Sequence, residues 1–125
     1  MRAKAAIYAA CSLMLEHIGI SFADIAKIYI AGGFGKYINI ENAISLGLLP
    51  DIPRDSFVYL GNASLKGSML LLLSSKYIKL QNDVSAKMTY IDLSNESGYM
   101  DQYTAALFFP HTDSSKFPTF AKGTE

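Results

Sequence analysis

A single cysteine in 125 residues leaves this chain unable to form an internal disulfide, or to build an iron–sulfur or structural zinc site from its own side chains. Cys11 shares helical spacing with Ile7, Met14, Leu15 and Ile18, which reads as a buried small hydrophobe rather than a nucleophile. The two histidines, His17 and His111, stand far apart without ligand-like spacing and are assigned to surface or helix-end positions. Charge is scarce, at 18% of residues, and the eleven Lys plus Arg equal the eleven Asp plus Glu. Nothing electrostatic therefore favours nucleic acid or an anionic membrane, and a surface poor in charge suits packing against other protein. The longest apolar run, 69–73, is far shorter than the roughly 20 residues that span a bilayer. Residues 2–18 are interrupted by Cys11, Ser12 and Glu16 and contain no clean signal-peptide core, so a soluble cytoplasmic protein is expected. No acid/base pair or nucleophile–base spacing emerges. Asp24, Glu41, Asp51, Asp55, Asp92 and Asp101 are scattered at expected turns and helix ends, which argues against a free-standing enzyme.

What the chain does have is an apolar strand running into glycines, Ile28-Tyr29-Ile30-Ala31-Gly32-Gly33-Phe34-Gly35-Lys36-Tyr37-Ile38. Residues 27–31 are β-branched and aromatic around one Ala. Three glycines in four positions permit positive φ and close backbone approach. Such a turn can face a phosphate or ribose with backbone N–H groups, and a helix opening there would add its positive end. It can equally be a tight strand-to-helix connection. The spacing excludes a dinucleotide fingerprint, which needs a small residue where Ile38 stands, and a P-loop, which needs Ser or Thr in place of Tyr37.

The periodicity predicts a helix over 2–18 with Ile7, Ala10, Cys11, Met14, Leu15 and Ile18 inward, stopped by Gly19. The first strand follows. Asn39 then caps a short helix to about Leu46 that Gly47 closes, and a second strand covers 57–60 and ends at Gly61-Asn62. Asn62 or Ser64 caps a helix that is apolar on most sides and hence expected to be buried. Residues 76–87 continue helically with Tyr77, Leu80 and Val84 inward. A third strand is expected over 88–93, a last helix over 101–108, and a flexible tail over 111–125. This order favours a parallel α/β layer whose strands end together on the carboxyl edge, where ligands bind. Long apolar helices around so few strands imply neighbours from a larger protein or a second copy.

Several of these segments in order carry a resemblance. Residues 28–38, then Ala43-Ile44-Ser45-Leu46-Gly47-Leu48-Leu49-Pro50, then Gly61-Asn62-Ala63-Ser64-Leu65-Lys66-Gly67, resemble the C-terminal end of the reductive activators of corrinoid-dependent methyltransferases. Ala3-Lys4-Ala5-Ala6-Ile7, Tyr90-Ile91-Asp92-Leu93-Ser94 and Ala106-Leu107-Phe108-Phe109-Pro110 fit the same pattern, so the resemblance covers roughly residues 2–111.

The resemblance implies an α/β fold that is part of an actin-like, ribonuclease H-like ATPase domain, with a short, mainly parallel sheet packed by helices. It implies a parent that uses ATP to drive one-electron reduction of cob(II)alamin to cob(I)alamin, with a two-iron two-sulfur cluster in a missing N-terminal region. It also implies that Gly32-Gly33 holds the adenosine part of the nucleotide. Residues 1–110 are then a C-terminal subdomain that should not hydrolyse ATP alone. Its partners are the rest of the parent chain and a corrinoid protein, with no nucleic acid or membrane. The candidate nucleotide contacts are the backbones of Gly32, Gly33 and Gly35, with Phe34 as adenine wall or core plug and Lys36 as phosphate contact or solvated lysine. Asn62 and Ser64 are assigned as helix caps or ligands. The alternative function is a non-catalytic module that dimerises or docks a corrinoid protein.

Overall fold

A computed structural model describes residues 1–33, 35–93 and 95–121. Helix α1 (Arg2–His17) leads through a 3-10 turn (Phe22–Asp24) to β1 (Ile28–Ala31); α2 (Ile40–Ser45) connects to β2 (Phe57–Gly61). Then come α3 (Ala63–Leu73), α4 (Ser75–Ser85), α5 (Tyr99–Ala105) and α6 (Pro118–Ala121). The two strands pair in parallel, with Ile28 beside Phe57, Tyr29 beside Val58 and Ile30 beside Tyr59. Because paired residues in a parallel ladder share a face, Ile28, Ile30 and Phe57 point together into the core.

The core joins α1, α2, the segment before β2, and the C-terminal residues: Ala5, Tyr8, Ile44, Ile52, Phe57, Ala106 and Phe117. The helix predicted over 2–18 forms, but its other face is buried. Lys4, Ala5, Tyr8, Ala9, Ser12 and Leu13 point inward, whereas Ile7, Met14 and Ile18 are exposed and Cys11 is half-buried. Both stripes obey helical spacing. The choice falls to the partner, since Ala5 and Ala9 let α5 approach closely while the Tyr8 ring joins an aromatic cluster. A lysine tolerates burial here because its ammonium donates to the Phe108 carbonyl at 2.5 Å and the Pro110 carbonyl at 2.8 Å. Gly47, at φ +75°, passes so close to this point that a Cβ would lie 1.9 Å from the Pro110 oxygen. No other residue type fits.

Four further expectations are corrected. Helix α3 has no buried residue, and Leu72 and Leu73 are 88% and 76% exposed. Tyr77, Leu80 and Val84 of α4 also face outward, because α3 and α4 pack chiefly on each other. Residues 88–93 form no strand; Met88 and Tyr90 are exposed, and among the described residues the sheet consists of β1 and β2. The segment expected to be a flexible tail is packed over 111–121, and residues 122–125 lie outside the described residues. Phe117 is fully buried, and Asp51 accepts from the Thr119 N–H at 2.7 Å and from its hydroxyl at 2.8 Å. Burial alone would raise the Asp51 carboxyl, but these bonds and one from Arg54 hold it below its ordinary range. Arg54 also grips Glu41 through two nitrogens at 2.8 and 2.9 Å, so α2, the segment before β2 and the C-terminal residues form one network.

His111, expected at the surface, is buried with its ring 5.4 Å from Tyr8 and 6.2 Å from Phe117. Its Nδ1 accepts from the Asp113 N–H at 2.9 Å, so the proton of the neutral ring sits on Nε2, which has no partner among the described residues. Burial first, then the charges of Lys116 and Lys4, lower its pKa against the opposing pull of Asp113. The unfolded chain binds this proton more readily than the folded one, so the stabilisation is complete above the ordinary histidine pKa of about 6.5 and declines as pH falls below it. Melting temperature should therefore fall between pH 7 and pH 5.5. His111→Asn, which keeps an acceptor for Asp113, should melt lower but with a flatter profile across that window.

Candidate functional site

The parallel register brings both strand ends to one edge. After Ile30 the ladder shifts so that Ala31 partners Gly61, and the Gly32 N–H donates to the Gly61 carbonyl at 2.8 Å. Gly32 at φ +98° and Gly61 at φ +67° both occupy the left-handed region, which turns each chain sharply off the sheet without a Cβ penalty. The two turns predicted from sequence are thus physically bonded to each other.

Beyond this junction the two turns differ. Gly33 is exposed, and a Cβ there would meet no described atom within 4 Å. Gly35 is buried, and a Cβ there would stand 2.9 Å from Ile30 Cγ2. Gly33 thus leaves its backbone open to a ligand, whereas Gly35 has a packing reason to be glycine. The glycines do not open an α-helix as expected. They lead into a single 3-10 turn (Gly35–Tyr37), closed by a long 3.4 Å bond from the Ile38 N–H to the Gly35 carbonyl, and α2 starts only at Ile40. Its dipole is accordingly not aimed from the glycines. Lys36 is exposed on the 3-10 turn, and Phe34 lies outside the described residues.

After β2, Asn62 rather than Ser64 caps α3, its side-chain oxygen accepting from the Leu65 N–H at 3.0 Å. Ser64 is exposed in the first turn. The Lys66 ammonium donates to the Leu60 carbonyl at 2.8 Å, fixing the end of β2. Sequence reasoning missed Lys66, and it missed Tyr59, whose hydroxyl donates to the Ile38 carbonyl at 2.7 Å. The available signal for Tyr59 was its alternation with Phe57 along β2.

A cavity of about 510 Å³ lies at the other end of the fold, between α1, the 3-10 turn before β1 and the segment before β2, with Tyr8, Leu15, Phe22 and Pro50 in its wall. None of the candidate nucleotide contacts lines it. Among the described residues no group of three His, Cys, Asp or Glu side chains could hold a metal ion, and no helix is long and apolar enough to cross a membrane. Burial pushes the Cys11 thiol up, away from the thiolate form that binds metal.

Two parallel strands ending in bonded glycine turns, packed by helices, define an α/β domain. Residues 1–121 match the model of the C-terminal domain of RACo, the ASKHA domain, and the chain belongs to that family, with the actin-like fold expected from its sequence. It is 37% identical over 107 residues to the corrinoid activation enzyme RamQ of Eubacterium limosum, a match covering 86% of this chain and 18% of that protein. It is 30% identical over 88 residues to the [Co(II) methylated amine-specific corrinoid protein] reductase of Methanosarcina barkeri, covering 70% and 16%. A solved structure of a reductive activator for corrinoid, iron-sulfur protein superposes with a TM-score of 0.87 at 47% identity, covering 94% of this chain and 19% of that one. The chain thus spans less than a fifth of the length of these relatives.

Substitutions separate packing from ligand contact at the glycines. Gly35→Ala should cost about 1–3 kcal/mol, read by urea unfolding, because Ile30 must move. Gly33→Ala should leave stability within about 0.5 kcal/mol and change only ligand affinity.

Proposed function

We propose that this chain is the adenosine-binding C-terminal subdomain of a cytoplasmic, ATP-dependent iron–sulfur activator that reduces cob(II)alamin to cob(I)alamin in corrinoid proteins. The observation that carries the reading is the bonded pair of turns, Gly32 N–H to Gly61 O at 2.8 Å, beside the open backbone of Gly33. The open backbone of Gly33 faces the ribose and α-phosphate, Gly32 and Gly35 shape the turn beside it with their N–H groups on the Gly61 and Gly32 carbonyls, and Lys36 is in reach of a phosphate. Asn62 serves mainly as a helix cap, since its oxygen is already engaged, and Ser64 offers a hydroxyl at the second turn. Glycine suits this task because a backbone without Cβ lets donors approach the nucleotide closely.

ATP, when bound, supplies the driving force; the residues of this chain bind and orient the adenosine end. The iron–sulfur cluster does not fit here. The one cysteine, Cys11, is half-buried on α1 with its thiol pushed toward the protonated form, so no electron step runs through this chain. The magnesium ion likewise finds no three-ligand group among the described residues and is left to the remainder of the parent protein. In the intact protein, ADP at 100 times its Kd should raise stability by about 2.7 kcal/mol and shift the amide signals of Gly32, Gly33 and Gly35. No change in either at saturating ATP or ADP would remove the assignment.

The bare apolar faces of α3 and α4, with Leu65, Met69 and Leu70 more than two-fifths exposed, favour a second and compatible reading, a module that docks a corrinoid protein or a second copy of the chain. This predicts a nucleotide-independent complex in sedimentation. A well-folded monomer that ignores the corrinoid protein would end this reading.

A further inference from the structure

On either side of position 34, residues 32–33 leave the sheet edge and residues 35–38 lie over its core-facing side, fixed at three points. The start is held by the bond from the Gly32 N–H to the Gly61 carbonyl. The middle rests through Gly35 on Ile30. The end is held by Tyr59, whose hydroxyl donates to the Ile38 carbonyl at 2.7 Å. Ile30 and Tyr59 are direct partners across the ladder, so the last regular rung before the ladder shifts forms a seat for the turn.

We propose that Tyr59 is a positioning residue for the nucleotide turn, holding the backbone around Gly33 in the arrangement that accepts an adenosine nucleotide; this rests on the reading given under the proposed function. Of the three fixings, the first is between backbone groups and the second involves no side chain on the turn. The third depends on a single oxygen. The 3-10 turn closes weakly by itself, with its 3.4 Å bond, so the Tyr59 hydroxyl decides how firmly its exit is held. Tyr59 is 45% exposed, so water competes for the Ile38 carbonyl and the tether can open. When it opens, the fraction of molecules with a binding-competent turn falls, and the apparent Kd rises by the same factor. Tyr59 never touches the nucleotide in this arrangement and acts only through the turn.

The test is Tyr59→Phe in the intact protein, which keeps the ring and removes the oxygen. Amide hydrogen exchange at Gly33, Gly35, Lys36 and Tyr37 without nucleotide is compared with exchange elsewhere, and ADP is titrated into both proteins. The expected result is severalfold faster exchange at those four amides alone and a Kd for ADP raised about 3- to 10-fold. A side chain with only a packing role would move none of these. If the wild type binds ADP but the variant matches it in affinity, the positioning role is overturned while the nucleotide reading stands. If the wild type itself fails to bind ADP or ATP, both fall together.

Discussion

The parallel pairing of two short strands is the constraint on which the site depends. Parallel strands finish at the same edge, so the turns that follow them must be neighbours. Here the neighbourhood is a bond, since the ladder ends with the Gly32 N–H on the Gly61 carbonyl. An antiparallel pair would have sent the two turns to opposite ends. The short helix α2 makes the parallel return possible, with Asn39 capping its start and Gly47 closing it against Pro110.

Around this pair the molecule is closed by contacts from its two ends. Lys4 on α1 reaches the carbonyls of Phe108 and Pro110, and Glu16 accepts from the Gln102 side chain at 2.6 Å. Tyr8, Phe22, His111 and Phe117 stack as a tilted aromatic group with centroids about 5.4 to 6.2 Å apart. These interactions lie on one side of the sheet. The opposite side, with Tyr29 62% exposed, and the helices α3 and α4 are bare, which is the pattern of a subdomain whose remaining walls come from other polypeptide.

The local grammar of this chain was legible in its sequence. Strand composition, the glycines after each strand, Asn39 and Asn62 as caps and Gly47 as a stop all act within a few residues, and β1, α2, β2 and α3 follow from them. The bonded pair of turns was legible too, because parallel order alone places strand ends together. What escaped was whatever depends on a distant partner. Helix α1 has two apolar stripes of equal spacing, and only contact with α5 decides between them. Residues 88–93 have strand composition, yet they join neither edge of the two-stranded sheet. The polar composition after residue 110 concealed Phe117, one aromatic side chain among serines, threonines and lysines that fills the core. Tyr59 escaped for a related reason, since its hydroxyl bonds a carbonyl 21 residues away.

The way in which both ends close the core bears on the order of synthesis. The inward face of α1 leaves the ribosome well before Phe117 and Thr119, which complete the core and bind Asp51 and are made more than a hundred residues later. Until then Tyr8, Ile44 and Ile52 have no lid, and the nascent chain must carry them exposed beyond the ribosome exit. Closing contacts of such sequence separation makes folding slow and late. A ribosome that stalls before Phe117 should therefore display a polypeptide with its helices formed and its core open, a species that chaperones and proteases are built to recognise.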